Sequence, residues 1–169
     1  MTFAVAAAMA IAGPAAGQVS GGGHGAYQSE IFEGTFGAGA RLEFDLGFLR
    51  RGISLAGTWE RYFPGCDDCS LWEAGGQVIV GGDNPIYLGV GAGFQRFERG
   101  ESLEELGDTD DWIFSMVFGV RFPVMPVITP FVEYRQEVGS ESANQQTLSA
   151  GILLRPARAR RSPARPGAR

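Results

Sequence analysis

The chain has 169 residues, is rich in Gly (26) and Phe (12), and draws all 14 of its basic residues from Arg. Six Arg fall in the last 15 residues, so the body through Leu154 sets 8 Arg against 19 acids, a formal charge of about −11. The length fits one domain, and a body this acidic excludes a nucleic-acid partner, because phosphate neutralisation needs clustered cations.

Residues 1–17, MTFAVAAAMAIAGPAAG, are apolar and small. They read as the hydrophobic region of an export signal, with Ala15-Ala16-Gly17 as the cleavage site. The next stretch, Ser20 to Ile31, is Gly-rich and alternates poorly. It also holds His24, the sole His. A catalytic base should sit on a defined strand beside a Ser within hydrogen-bond reach, and nothing near His24 supplies that, so it is expected to be a mobile surface residue.

From Thr35 the pattern sharpens. TFGAGARLEFDL puts Phe36, Ala38, Ala40, Leu42, Phe44 and Leu46 on one face and Arg41, Glu43 and Asp45 on the other. Period two is the signature of a strand with one apolar face. The pattern recurs, and predicts strands over 34–46, 51–63, 70–81, 85–98, 111–122, 127–138 and 145–155. Each reaches the roughly 9–11 residues that a tilted strand needs to cross a bilayer. Short turns (47–51, 82–84, 123–126) alternate with longer, more acidic loops (64–69, 99–110, 139–144). Parity then requires one more strand before residue 34, and Ser20 to Ile31 is the only candidate. The count becomes eight, an even number as bacterial single-chain barrels require.

Volume decides which face is inside. The apolar face gathers twenty-six bulky side chains, among them Phe36, Phe44, Leu55, Val78, Leu88, Phe114, Phe118, Val132, Leu148 and Ile152. An eight-stranded interior holds about a dozen large side chains. The apolar face must therefore point outward, and a soluble lipocalin-like ligand-binding barrel is the alternative this disfavours. The other face suits a narrow lumen, with many Gly and an expected ionic network of Arg41, Glu43, Asp45, Glu60, Glu73, Arg121, Glu133, Arg135 and Glu137. Three Arg cannot neutralise six acids there, so several carboxylates should reach water near the mouth or share protons. Trp59, Phe63, Trp72, Phe94 and Trp112 fall near strand ends beside the longer loops and read as an interfacial aromatic girdle.

Cys66 and Cys69 sit together in PGCDDCS. A zinc site would need four ligands, and an exported chain sees an oxidising compartment, so a small disulfide at a loop tip is expected. The acidic segment 98–111 lacks the ordered ligand spacing of a calcium loop. GVGAGF lacks the Lys and the following helix of a phosphate loop. No catalytic residue, cofactor site or metal site is read. The tail 156–169, rich in Pro, Arg and Ala, should be disordered.

The segments GAGARLEFDL, ISLAGTWERYFPGC, YLGVGAGFQRF, FGVRFPV and PFVEYRQEVG together resemble the small bacterial outer-membrane β-barrels typified by the OmpA transmembrane domain. The resemblance spans residues 18–155. It implies an all-β, eight-stranded, antiparallel, up-and-down transmembrane barrel in a bacterial outer membrane, with a polar lumen and an apolar exterior. It implies outer-membrane lipid and lipopolysaccharide as surroundings, the barrel-assembly machinery as a partner, and a structural or interaction role without catalysis. A narrow pore for ions or small solutes is the other function such a barrel could serve. One departure stands out: such chains often end their last strand on an aromatic residue, and this one ends it on Leu153-Leu154-Arg155.

Overall fold

The computed structural model describes residues 19–29, 34–46, 52–65, 69–81, 84–98, 109–122, 124–139 and 144–155. The eight strands are β1 (Val19–Ser29), β2 (Thr35–Asp45), β3 (Ile53–Phe63), β4 (Ser70–Val80), β5 (Ile86–Glu98), β6 (Thr109–Arg121), β7 (Ile128–Gly139) and β8 (Gln145–Leu154). Each pairs antiparallel with its sequence neighbour, and β1 closes on β8. Closure leaves no strand edge exposed. Every predicted strand is present with its ends within two residues of the expected ones.

The weakly written first strand is real, and its poor alternation has a physical cause. Gly21, Gly22, Gly23 and Gly25 carry no side chain to reveal a period. At Gly22 the backbone leaves no room for one, since a Cβ would stand 2.8 Å from the Ile152 carbonyl carbon. The lumen residues of β1 still alternate correctly, with Ser20, His24, Ala26 and Gln28 all buried.

The expected asymmetry between short turns and long loops is weaker than the sequence implied. Ten residues separate β5 from β6, whereas five to seven separate every other pair of strands. Only the β5–β6 connection distinguishes one end of the barrel from the other. Two of the three positive-φ glycines among the described residues, Gly52 (φ 82°) and Gly81 (φ 98°), close the opposite end, where the Gly81 amide donates to the Gly52 carbonyl at 2.8 Å.

Burial is inverted relative to a water-soluble protein. Arg41, Glu43, Glu60, Glu73, Arg121, Glu133, Arg135 and Glu137 are all buried, while Phe36, Phe114, Met116, Leu88 and Leu148 lie exposed. A soluble barrel buries its apolar face, so the lipocalin-like alternative is overturned by this arrangement. The lumen is less uniformly polar than the sequence implied. Ala56, Ile79, Tyr87 and Val117 pack together inside, and Ala26, Tyr62 and Leu71 form a second cluster with Phe97 against it. Tyr62, Ile79, Tyr87 and Val117 each pack over a glycine of a neighbouring strand, so bulk and absence of bulk interlock. At Gly119, for example, a Cβ would lie 2.1 Å from the Tyr87 ring.

Candidate functional site

The lumen holds two ionic networks. The first centres on Arg135 of β7. Its Nη2 donates to Glu60 of β3, and its Nη1 donates to Glu73 of β4 at 3.1 Å. Its Nε lies 3.2 Å from Glu137, two residues along the same strand. Glu60 also accepts from the Tyr62 hydroxyl at 2.6 Å. Glu137 accepts from Thr147 of β8 at 3.1 Å. From there an amide relay runs onward: Gln28 of β1 donates to Gln145 at 2.5 Å, and Gln145 to Gln95 of β5 at 3.3 Å. One guanidinium and its hydrogen-bonding neighbours thus tie together six of the eight strands.

The second network joins β2, β5, β6 and β7. Arg121 grips Glu43 with both terminal nitrogens, each at 2.9 Å. This is the bidentate fork that makes Arg–carboxylate pairs strong and directional. Arg41 donates to Glu133 at 2.5 Å, and Tyr87 donates to the same carboxylate at 2.8 Å. The Arg121 guanidinium lies over the Tyr87 ring at 4.3 Å, and that of Arg41 lies 5.3 Å from the Phe131 ring. Tyr87 is therefore both a hydrogen-bond donor to the network and an aromatic floor for its cations.

Eight of the nine expected lumen residues meet in these two networks. Asp45, at the end of β2, is half-buried and makes no ion pair among the described residues. Of the two expected fates of the excess acids, water at the mouth or shared protons, the first needs correction. Glu43, Glu60, Glu73, Glu133 and Glu137 are all buried, and only Asp45 stands at the mouth.

His24 also needs correction, since it is buried in the lumen and not on the surface. Its Nε2 lies 2.7 Å from Glu60 Oε1, making it a fourth basic group beside the three Arg, against six buried carboxylates once Asp111 of β6 is counted. Its two cross-strand partners are Gly39 and Gly151. A Cβ on either would come within 2.7 Å of His24, so these glycines form a niche for the imidazole. The register that pairs His24 with two glycines is the signal that local sequence alone did not carry. No Ser, Thr or Cys is a hydrogen-bond partner of His24 among the described residues, and no group of three potential metal ligands occurs among them.

The five aromatic residues all lie on the outer face. Trp59, Phe63 and Trp112 are at least half exposed. Trp72, Phe94 and Trp112 form a continuous run across β4, β5 and β6, with neighbouring ring centroids 5.8 Å apart. Phe63 stands apart from them, paired in register with Phe36 of β2. Cys66 lies outside the described residues, as do segments 1–17, 99–108 and 156–169. Among the described residues there is no free cysteine.

A closed eight-stranded barrel with charge inside and hydrocarbon outside is the architecture of the small outer-membrane barrels. Solved structures with this fold match the chain. Neisserial surface protein A aligns at 18% identity with a TM-score of 0.59, covering 82% of this chain and 96% of that one. The N-terminal barrel domain of Pseudomonas aeruginosa OprF aligns at 14% identity with a TM-score of 0.56, covering 83% and 99%. Ail of Yersinia pestis, in a phospholipid bilayer nanodisc, aligns at 12% identity with a TM-score of 0.55, covering 82% and 99%. No protein-family profile and no curated protein sequence matches. At these identities the likeness is one of fold.

Proposed function

We propose that this chain is an integral protein of a bacterial outer membrane with a structural or interaction role, closed to ion flow by its internal salt bridges. The observation that carries this reading is the inverted burial. Leaving large apolar side chains in water would be costly, and bilayer hydrocarbon removes that cost. The exterior would be solvated by outer-membrane lipid and lipopolysaccharide, with insertion by the barrel-assembly machinery. Residues 1–17 would serve as the export signal. Any protein partner would meet the loops on the β5–β6 side.

The lumen favours a plug over a pore. Eight strands leave room only for side chains, and Arg135, Glu60, Glu137 and Thr147 are at most 2% exposed. Catalysis is not part of the reading, because no Ser, Thr or Cys side chain stands beside His24 as a nucleophile among the described residues. Membrane fractionation followed by a heat-modifiability gel tests the barrel, and a soluble, heat-indifferent monomer would end the reading. Planar-bilayer recording tests the plug. A steady conductance abolished by Glu133→Gln or Arg135→Gln would establish a pore instead.

A further inference from the structure

The outer face of β3, β4 and β5 carries an apolar groove of about 690 Å³ with Gly57, Gly76 and Ala92 at its floor and Phe44, Leu55 and Phe114 among its walls. These floor residues stand in one row, with Gly57 opposite Gly76 and Gly76 opposite Ala92. The lumen glycines beside them are forced by packing; the floor glycines are not. A Cβ at Gly57 or Gly76 would meet nothing closer than 3.9 Å. The fold would accept a side chain at either position, and none is there.

One row toward the loops, Ala74 lies between Trp59 and Phe94. It leaves a notch between two aromatic rings that continues the groove. One row further, Arg61, Trp72 and Arg96 stand side by side on adjacent strands. Arg96 is engaged by Glu98 at 3.4 Å and Asp110 at 3.7 Å. Arg61 is exposed on the outer face and makes no ion pair among the described residues. It lies four residues from Gly57 along β3, about 13 Å at strand spacing. An outward Arg beside an aromatic girdle extends its guanidinium to the headgroup level, and a guanidinium recognises phosphate by charge-assisted hydrogen bonds.

We infer that the β3–β5 face is a binding site for one anionic lipid of the surrounding bilayer. Its acyl chain would lie in the Gly57–Gly76–Ala92 groove, pass the Ala74 notch, and place its phosphate against Arg61. The inference rests on the membrane reading above and adds a preferred lipid position to it.

The test titrates the full chain, folded in detergent and verified as heat-modifiable, with dioleoyl phosphatidylglycerol and separately with dioleoyl phosphatidylcholine, reading bound lipid by native mass spectrometry. The wild-type chain should bind the anionic lipid about ten-fold more tightly, the scale of one charge-assisted contact. Arg61→Gln should erase that preference, and Arg61→Lys should keep part of it. Gly76→Leu, which fills the groove, should weaken both lipids while the barrel stays heat-modifiable. Equal binding of the two lipids by wild type, or an unchanged preference in Arg61→Gln, would overturn the proposal with the barrel intact. A wild-type chain that is not heat-modifiable would overturn the membrane reading, and the proposal with it.

Discussion

Replacing Arg135 with Met should be the most damaging single change in the lumen. Arg135 is 2% exposed by side chain and meets Glu60, Glu73 and Glu137, whose side chains are 2%, 4% and 0% exposed. Met fills most of the stem volume but removes the only guanidinium shared by three buried carboxylates. Removing one partner of a buried ion pair costs about 3–5 kcal/mol, because the remaining charge is left uncompensated. That is a hundred- to a few-thousand-fold shift in the unfolding equilibrium, at about 1.4 kcal/mol per factor of ten. Urea unfolding in lipid vesicles, followed by the heat-modifiable gel shift, measures it directly. The loss should narrow as pH falls from 7 toward about 4, where ordinary carboxylates begin to take up protons. The sign follows from linkage: the folded variant is favoured by protons that its unfolded chain has released at pH 7, so its stability rises as pH falls. Combining Arg135→Met with Glu60→Gln, Glu73→Gln and Glu137→Gln should restore much of the stability. An Arg135→Met barrel as stable as wild type at pH 7 would refute the idea that this network holds the strands together.

Three further outcomes follow from the same geometry. Leu148→Arg, on the outer face of β8 at 52% exposure, should cost about 2–4 kcal/mol in a bilayer, whereas a surface that faced water would accept it within about 0.5 kcal/mol; urea titration in vesicles separates the two. His24 gives the sole imidazole signal of the chain, so nitrogen NMR of a labelled sample should find a solvent-protected ring hydrogen-bonded to a carboxylate, and His24→Ala should destabilise by about 1–3 kcal/mol through the lost bond and the emptied niche. Thiol labelling of unfolded, unreduced protein should fail at Cys66 and Cys69, and ready labelling would remove the expected disulfide.

The barrel was legible because its outer face is written in period two from β2 onward. Phe36 through Leu46 alone announce a strand, and the total apolar bulk points that face outward. β1 was legible only through parity, since four glycines erase its alternation. The ionic residues were legible as a set because they share the inward parity. Their partners were not, since which Arg meets which Glu depends on barrel closure. Arg41 reaches Glu133 across 92 positions of sequence, a pairing that no local pattern encodes. The same reason hid His24. Its surroundings in sequence are glycines that read as a flexible stretch, while its niche is assembled from Gly39 and Gly151 on the two flanking strands. Leu71, Tyr87 and Phe131 share the inward parity and are buried in the lumen, but a lumen read as small and charged left no place for bulky apolar side chains, so the expectation put them on neither face.

The inverted burial can be tested most directly through the tryptophans. Trp59, Trp72 and Trp112 all lie on the outer face, near the same end of the barrel. In vesicles of phosphatidylcholine brominated along the acyl chain, their fluorescence should be strongly quenched, most by bromines placed near the headgroup end. Fluorescence indifferent to brominated lipid, with ready quenching by aqueous iodide, would contradict the account.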